Sequence, residues 1–203
     1  MIWKFTDNKS RDSIEQQFDW ARNMNEVPQD KLYHAEGNVA VHTWKVIEEL
    51  QQLPAYSDLG GQDKEILWTA ALLHDVEKRS ATVVESDGRI TARGHARKGE
   101  YTVRTLLYRD LPTPFAIREK IASLVRFHGL PLWLMEKTDP VRKIAEVAFR
   151  LDTSQLRMLA EADIRGRICQ DREELLESLD LFELFCREQG CWKKSREFTT
   201  DHA

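Results

Sequence analysis

The stretch ILWTAALL, from Ile66 to Leu73, is apolar almost all the way round a helix, and it limits the fold more than any other part of the chain. A helix without a polar face must be packed on several sides, so this one belongs at the middle of the domain. It runs directly into His74 and Asp75. Burial of an unpaired charge costs several kcal/mol or more, so something else in the molecule has to satisfy that pair.

The spacing on either side is also helical. SIEQQFDWARNM sets Ile14, Phe18 and Ala21 on one face, and NVAVHTWKVIEELQQL sets Val39, His42, Val46 and Leu50 on another, which turns His42 inward. HARKGEYTVRTLLYRD reads as a further helix, and so does TPFAIREKIASLVRFH, with Thr113 as its cap and Pro114 at the first helical position. Asp139-Pro140 gives the same start signal before VRKIAEVAFRLD; QLRMLAEADIRG should stop near Gly166, and Asp171 with Glu174 resembles a capping box before REELLESLDLFELFCREQ. Between the helices, β-branched residues flank Asp87-Gly88, which predicts a small hairpin near residues 82–92. The expectation is an all-α bundle of seven or eight helices with one hairpin and no internal repeat.

A chain of 203 residues with 41% hydrophobic and 32% charged content fits one globular domain, placed at residues 1–190, followed by a polar tail or linker at 191–203. No apolar run approaches the ~20 residues of a membrane helix, so no membrane partner is expected. The N-terminal MIWKFTDNKSRDS lacks a secretory h-region, and Cys169, Cys186 and Cys191 are odd in number, which suits reduced thiols in the cytoplasm. A net charge of -4 argues against a protein that coats nucleic acid broadly.

Of the six histidines, His42, His74, His95 and His128 fall on or beside predicted helices where they could converge with Asp75. One histidine on an apolar face is usually a hydrogen-bonded core residue. Four with a carboxylate are better explained as ligands. Imidazole nitrogen and carboxylate oxygen without thiolate suit Mn, Fe, Co, Ni or Zn, as one ion or as two bridged by a carboxylate. Such ions make water acidic enough to react at neutral pH and polarise phosphoryl oxygens.

The order His42, His74-Asp75, Asp163 resembles the HD superfamily of metal-dependent phosphohydrolases, an all-α family named for its adjacent His and Asp. The segments HAEGNVAVHTWKV, ALLHDVEK, GHARKGEYTVR, RFHGL and AEADIRGR, over roughly residues 32 to 167, resemble in order and wording the HD domain attached to bacterial CCA-adding tRNA nucleotidyltransferases. The arrangement is also similar to the HD module that leads bacterial RNA-repair proteins carrying a polynucleotide kinase. No G-x-x-x-x-G-K-[ST] loop is present, so such a kinase would be a fused or associated module.

The resemblance implies that His42, His74, Asp75 and Asp163 are the core metal ligands, with Asp75 the bridge and Asp163 preferred over nearby Asp152. His95 and His128 match the extra histidines of members with a second ion. His34 would stand near the substrate phosphate as a donor or acid. Lys78 matches the lysine of the H-D-x-x-K turn and would act with Asp75 and His34 in catalysis. Arg97, Lys98, Arg165 and Arg167 would contact phosphate. One departure stands out: where the family has glycine before that lysine, this chain has Glu77, which could alter the turn or repel an anion.

The activity so implied is hydrolysis of 2'(3')-phosphates and 2',3'-cyclic phosphates on RNA ends or nucleotides. Two alternatives stand beside it, a nucleotidase acting on small metabolites and a non-catalytic module that binds a ligand at the HD site.

Overall fold

The computed structural model describes residues 2–192. Among them the chain forms α1 (Arg11–Gln17), α2 (Asp19–Asn23), a 3-10 turn (Met24–Glu26), α3 (Val39–Gln52), α4 (Pro54–Ser57), α5 (Gly61–Leu73) and α6 (Lys78–Ala81). The hairpin β1 (Val83–Val84) and β2 (Ile90–Thr91) comes next, then α7 (His95–Arg109), α8 (Phe115–Phe127), α9 (Leu130–Trp133), α10 (Pro140–Arg150), α11 (Thr153–Gly166) and α12 (Arg172–Glu188). The expected all-α class with one small hairpin is what forms, and the expected tail lies, from residue 193 on, outside the described residues.

The apolar helix is at the centre. Every side chain of α5 from Ile66 to Leu73 is buried, and α3, α8 and α11 pack around it. α3 lies along α11 so closely that a Cβ on Gly166 would stand 2.9 Å from the Val46 backbone nitrogen. Glycine is what permits that approach. α7 and α8 pair on the other side, and α12 covers α11 with Leu175 and Leu179 in a satellite cluster against Ala160 and Ile164.

The hairpin pairs Val83 with Thr91 and Val84 with Ile90 in antiparallel register, around a turn in which Gly88 takes φ 84°. The Asp30 carboxylate accepts the Ile90 N–H at 2.9 Å, which ties the hairpin to the loop before α3. No helix of the described residues is long and apolar enough to cross a membrane.

Three local expectations need correction. The first predicted helix is two, because Phe18 is extended and puts its ring 5.3 Å from Phe5 and 5.5 Å from Trp20. Thr113 does not cap α8; its hydroxyl donates to the Leu111 carbonyl at 2.9 Å, and Pro114 itself precedes the helix. Asp171 makes no capping bond to α12, since its backbone, at φ -90° and ψ 16°, is bent near the helical region and not extended as a cap requires. At α10 the reading holds, with the Asp139 carboxylate accepting from Arg142 N and Pro140 opening the helix.

Candidate metal centre

Helix ends build the site. His42 lies in the first turn of α3, His74 caps the end of α5 with Asp75 in the turn after it, His95 opens α7, His128 caps the end of α8, and Asp163 sits in the last turn of α11. All but His95 are buried. Residues far apart in sequence therefore meet where five helices converge.

Each of three imidazoles is fixed by a carbonyl three residues before it. His74 Nδ1 bonds Ala71 O at 2.7 Å, His95 Nδ1 bonds Ala92 O at 2.7 Å, and His128 Nδ1 bonds Val125 O at 2.8 Å. A carbonyl only accepts, so each Nδ1 carries the hydrogen and, in the neutral ring, each Nε2 carries the lone pair. This is the arrangement of second-shell bonds that orients ligating histidines. The carbonyls of Ala71 and Val125 belong to last helical turns and have no helical partner of their own.

The Nε2 atoms converge on Asp75. Its Oδ2 lies 3.2 Å from His74 Nε2 and 3.8 Å from His42 Nε2, while its Oδ1 lies 3.2 Å from His95 Nε2 and 3.9 Å from His128 Nε2. His74 Nε2 and Asp75 Oδ1 are buried without a hydrogen-bond partner among the described residues. With the rings neutral, close nitrogen and oxygen acceptors have no hydrogens between them, and a cation satisfies such a set. His42, His74 and Asp75 form one set that can hold an ion, Asp75, His95 and His128 form a second, and Asp75 belongs to both. The donor chemistry fits divalent ions.

Electrostatics follow from this crowding. Burial opposes the charge on Asp75, but Lys78, His74 and His95 hold its pKa well below the usual carboxylate range. Burial also opposes a charged His74, and the carboxylates of Asp75 and Asp163 outweigh it and raise that pKa. His128 is pushed down to about 3 by burial and by its neighbours His74 and His95, so its ring is neutral at physiological pH.

Asp163 joins the group through His42, whose Nε2 lies 3.0 Å from Asp163 Oδ1. Arg167 clamps both oxygens of Asp163, at 3.1 and 2.6 Å. Asp152 stands elsewhere, capping α11 through Ser154 N. Lys78 Nζ lies 2.8 Å from Asp75 Oδ2 and donates to Gln29 Oε1 at 2.6 Å.

The sequence reading missed Glu36. Its carboxylate, with no exposed side-chain surface, puts Oε1 at 2.8 Å from His34 Nδ1 and 2.9 Å from His42 Nδ1, although the latter contact is off hydrogen-bonding geometry. Oε2 accepts the Ile168 N–H at 2.8 Å. These partners overcome burial and keep Glu36 ionised far below its ordinary pKa. His34 goes the other way, since burial pushes it down to about 4 against the pull of Glu36. The only signal was a carboxylate between two site histidines in HAEGNVAVH. Gln29, also missed, carried none.

The predicted phosphate contacts are scattered. Arg167 is at the cluster, while Arg97 and Lys98 are exposed on the first turn of α7, Lys98 donating to Ser80 O at 3.2 Å. Arg165 is not brought in: two residues past Asp163 it projects from the far side of α11, where Glu161 holds it. Glu77 is likewise turned aside, accepting from Ser80, Arg79 and Thr102 and so tying α6 to α7. Its φ of -96° is open to any residue, so glycine is not needed there.

Comparison with known proteins agrees with this geometry. The family model described as HD domain matches residues 39–163, from the start of α3 to Asp163. The chain is also 29% identical over 152 residues to the Multifunctional CCA protein of Nitrosococcus oceani, an alignment that takes in 70% of this chain and 33% of that protein, so the chain spans about a third of that relative's length. With the matched region running over the very elements whose ends carry the His and Asp cluster, the chain belongs to the HD domain family of metal-dependent phosphohydrolases.

Proposed function

We propose that this protein is a phosphoesterase that uses one or two divalent transition-metal ions, from among Mn, Ni, Co, Fe and Zn, to hydrolyse 2'(3')-phosphates and 2',3'-cyclic phosphates of nucleotides or RNA ends. The observation that carries the reading is the convergence of Nε2 atoms on both oxygens of one carboxylate, Asp75. The finer substrate class is supported by the likeness to a protein named for CCA and by the five sequence segments around the site. From the separate resemblance to the HD module that leads kinase-bearing RNA-repair proteins, a polynucleotide kinase is the proposed fused or associated partner.

Ions held by His42, His74, Asp75, His95, His128 and Asp163 would supply Lewis acidity and acidified water. The chain does the rest. Asp75 presents one oxygen to each histidine pair, and Lys78 adds a fixed positive charge where phosphoryl oxygens gain charge in the transition state. Arg167 holds Asp163 in place and, with Arg97 and Lys98 at the rim, favours an anionic ligand. His34 is neutral in the free protein, with its Nδ1 hydrogen on Glu36. A bound phosphate raises its affinity for a proton at Nε2, which makes it the donor to the leaving oxygen.

The test strips the protein of metal, restores Mn or Ni, and measures product release from a 2',3'-cyclic nucleotide, a nucleoside 2'-phosphate and a nucleoside 5'-phosphate, with Asp75→Ala as control. Turnover of the first two that disappears in the variant is expected. Turnover of the 5'-phosphate alone would replace this reading with a nucleotidase, and no metal-dependent turnover would leave a binding module.

A further inference from the structure

A pocket of about 800 Å3 opens between the loop that precedes α3 and the turn of the hairpin, lined by Asn25, Gln29, His34, Asn38, Arg89 and Ile90 among others. Two of these residues connect it to the metal centre, each through one intermediate. Gln29 accepts from Lys78, whose ammonium also contacts Asp75. His34 shares the Glu36 carboxylate with His42. Pocket and centre are thus adjoining spaces with Gln29 and His34 in the wall between them.

Gln29 points to what belongs there. It is only 6% exposed, and its Nε2 has no hydrogen-bond partner among the described residues. The amide cannot relieve this by turning over, because Lys78 offers only donors and keeps Oε1 facing it. A buried donor left unpaired costs roughly 1–3 kcal/mol. The position calls for an acceptor that the described residues do not provide.

The size and lining set the ligand class. A phosphate group occupies a small part of such a volume, whereas pockets of ~300–1,000 Å3 hold whole organic ligands. No Phe, Tyr or Trp is among the lining residues, where His34 supplies the one aromatic ring, so recognition there rests more on hydrogen bonding than on stacking. Instead Gly37, at φ 122°, and Gly88, at φ 84°, bare the backbone on facing walls, with nothing within 4 Å of where a Cβ would stand. Amide side chains and open backbone suit a ligand rich in hydroxyl and carbonyl oxygens.

We propose that this pocket binds the nucleoside part of the phosphoester, with the Gln29 side-chain amide donating to an oxygen of its ribose or base. The assignment rests on the phosphoesterase reading above and adds a substrate subsite formed largely by residues before the matched HD region.

The test uses uncharged nucleosides, uridine and adenosine, as probes on full-length protein loaded with Zn, observed through the 15N–1H signals of side-chain and backbone amides. The Gln29 side-chain pair is assigned by its loss in Gln29→Glu, a variant that keeps an acceptor for Lys78 and removes the donor. Saturable movement of the Gln29 pair and of the Gly37 and Ile90 amides is expected, with inorganic phosphate leaving Gly37 and Ile90 unmoved. Nucleoside affinity should fall by about tenfold in Gln29→Glu, the loss of one good hydrogen bond. No movement at several millimolar nucleoside, or equal affinity in the variant, would overturn the proposal. Hydrolysis of 4-nitrophenyl phosphate is measured in parallel. Turnover without nucleoside binding refutes the pocket and leaves the phosphoesterase, while nucleoside binding without turnover of any ester refutes the phosphoesterase and leaves a nucleoside site.

Discussion

The Nε2 atoms of His95 and His128 face each other across 3.4 Å, and with both rings neutral neither has a hydrogen for the other, because each donates its Nδ1 hydrogen to a carbonyl three residues back. Two lone pairs at that separation repel, and a cation held by both rings would relieve this. This pair, with Asp75 Oδ1, is therefore a distinct half of the centre from the pair His42 and His74 with Asp75 Oδ2. His128→Ala should lose one bound ion per chain while keeping the other, and His42→Ala should lose the complementary one. Metal content after equilibrium dialysis, read beside a melting curve of the ion-free protein, checks both. Loss of all metal in His128→Ala would show that the halves are not separable.

Glu36 is the second point of control. One carboxylate contacts two histidines and also accepts the backbone N–H of Ile168, just beyond α11. Removing its charge in Glu36→Gln loosens His42, the one core imidazole not held by a carbonyl three residues before it. Outer-shell carboxylates of this kind contribute about 10–100-fold to metal affinity. A loss in that range for the ion at His42, measured by competition with a chelating dye, is expected. An unchanged affinity would reduce Glu36 to a loop tether.

Why Glu36 escaped the sequence reading, when the four histidines and Asp75 did not, is a matter of periodicity. His42 was visible because Val39, Val46 and Leu50 define a buried face, and His74-Asp75 because they end a helix that is apolar all round. Glu36 and Gln29 lie in the irregular stretch between Glu26 and Asn38, where burial is set by tertiary contacts such as those with Ile168 and Lys78. Arg165 failed for a related reason. A matching motif carries residue types but not the helical phase, and two residues past Asp163 the side chain faces Glu161. The cap at Thr113 was lost to a neighbouring carbonyl and that at Asp171 to a backbone that is not extended, neither of which a spacing rule includes.

Lys78 is 9% exposed, with its ammonium between Asp75 and Gln29. Lys78→Met leaves the buried Asp75 carboxylate without its main countercharge, and breaking one side of a buried pair typically costs about 3–5 kcal/mol. An ion at Asp75 supplies the missing charge. The loss in stability should therefore be large in metal-free protein and small with Mn or Zn bound, while hydrolysis by the metal-bound protein falls. Urea unfolding with and without the ion reads this difference; equal destabilisation in the two states would place the lysine's role outside the centre.

Away from the site, Glu100 holds three arginines, with Arg104 at 2.9 Å, Arg150 at 2.5 Å and Arg126 at 3.5 Å. Burial raises its pKa, but Arg150 and Arg104 outweigh that and hold it below the ordinary value of 4.5. A group whose folded pKa is depressed contributes stability above its unfolded pKa and loses it as pH falls through the folded one. The wild-type protein should thus lose stability below about pH 4.5 in part through Glu100. Glu100→Gln should be less stable at pH 7 and show a shallower fall on acidification, measured by urea unfolding across that range. Parallel curves for the two proteins would assign the acid loss to other carboxylates.

Gly166 links packing to the centre. It ends α11 three residues after Asp163, and a Cβ there would meet Val46 Cγ2 and Val46 N at 2.9 Å and Val46 Cα at 3.2 Å. Val46 is one turn after His42 on α3. Because two of the three contacts are backbone, a rotamer change cannot make room, and Gly166→Ala has to push α11 away from α3. Overpacking of this kind costs about 1–3 kcal/mol. The same displacement widens the 3.0 Å separation of His42 Nε2 and Asp163 Oδ1. The variant should consequently bind the ion at His42 more weakly while retaining its affinity at His95 and His128. Val46→Ala removes only the Cγ2 contact, so as a second substitution it should restore part of the stability and less of the metal binding. Full recovery of both would mean that the side-chain clash, and not the backbone approach, sets the distance between the two helices.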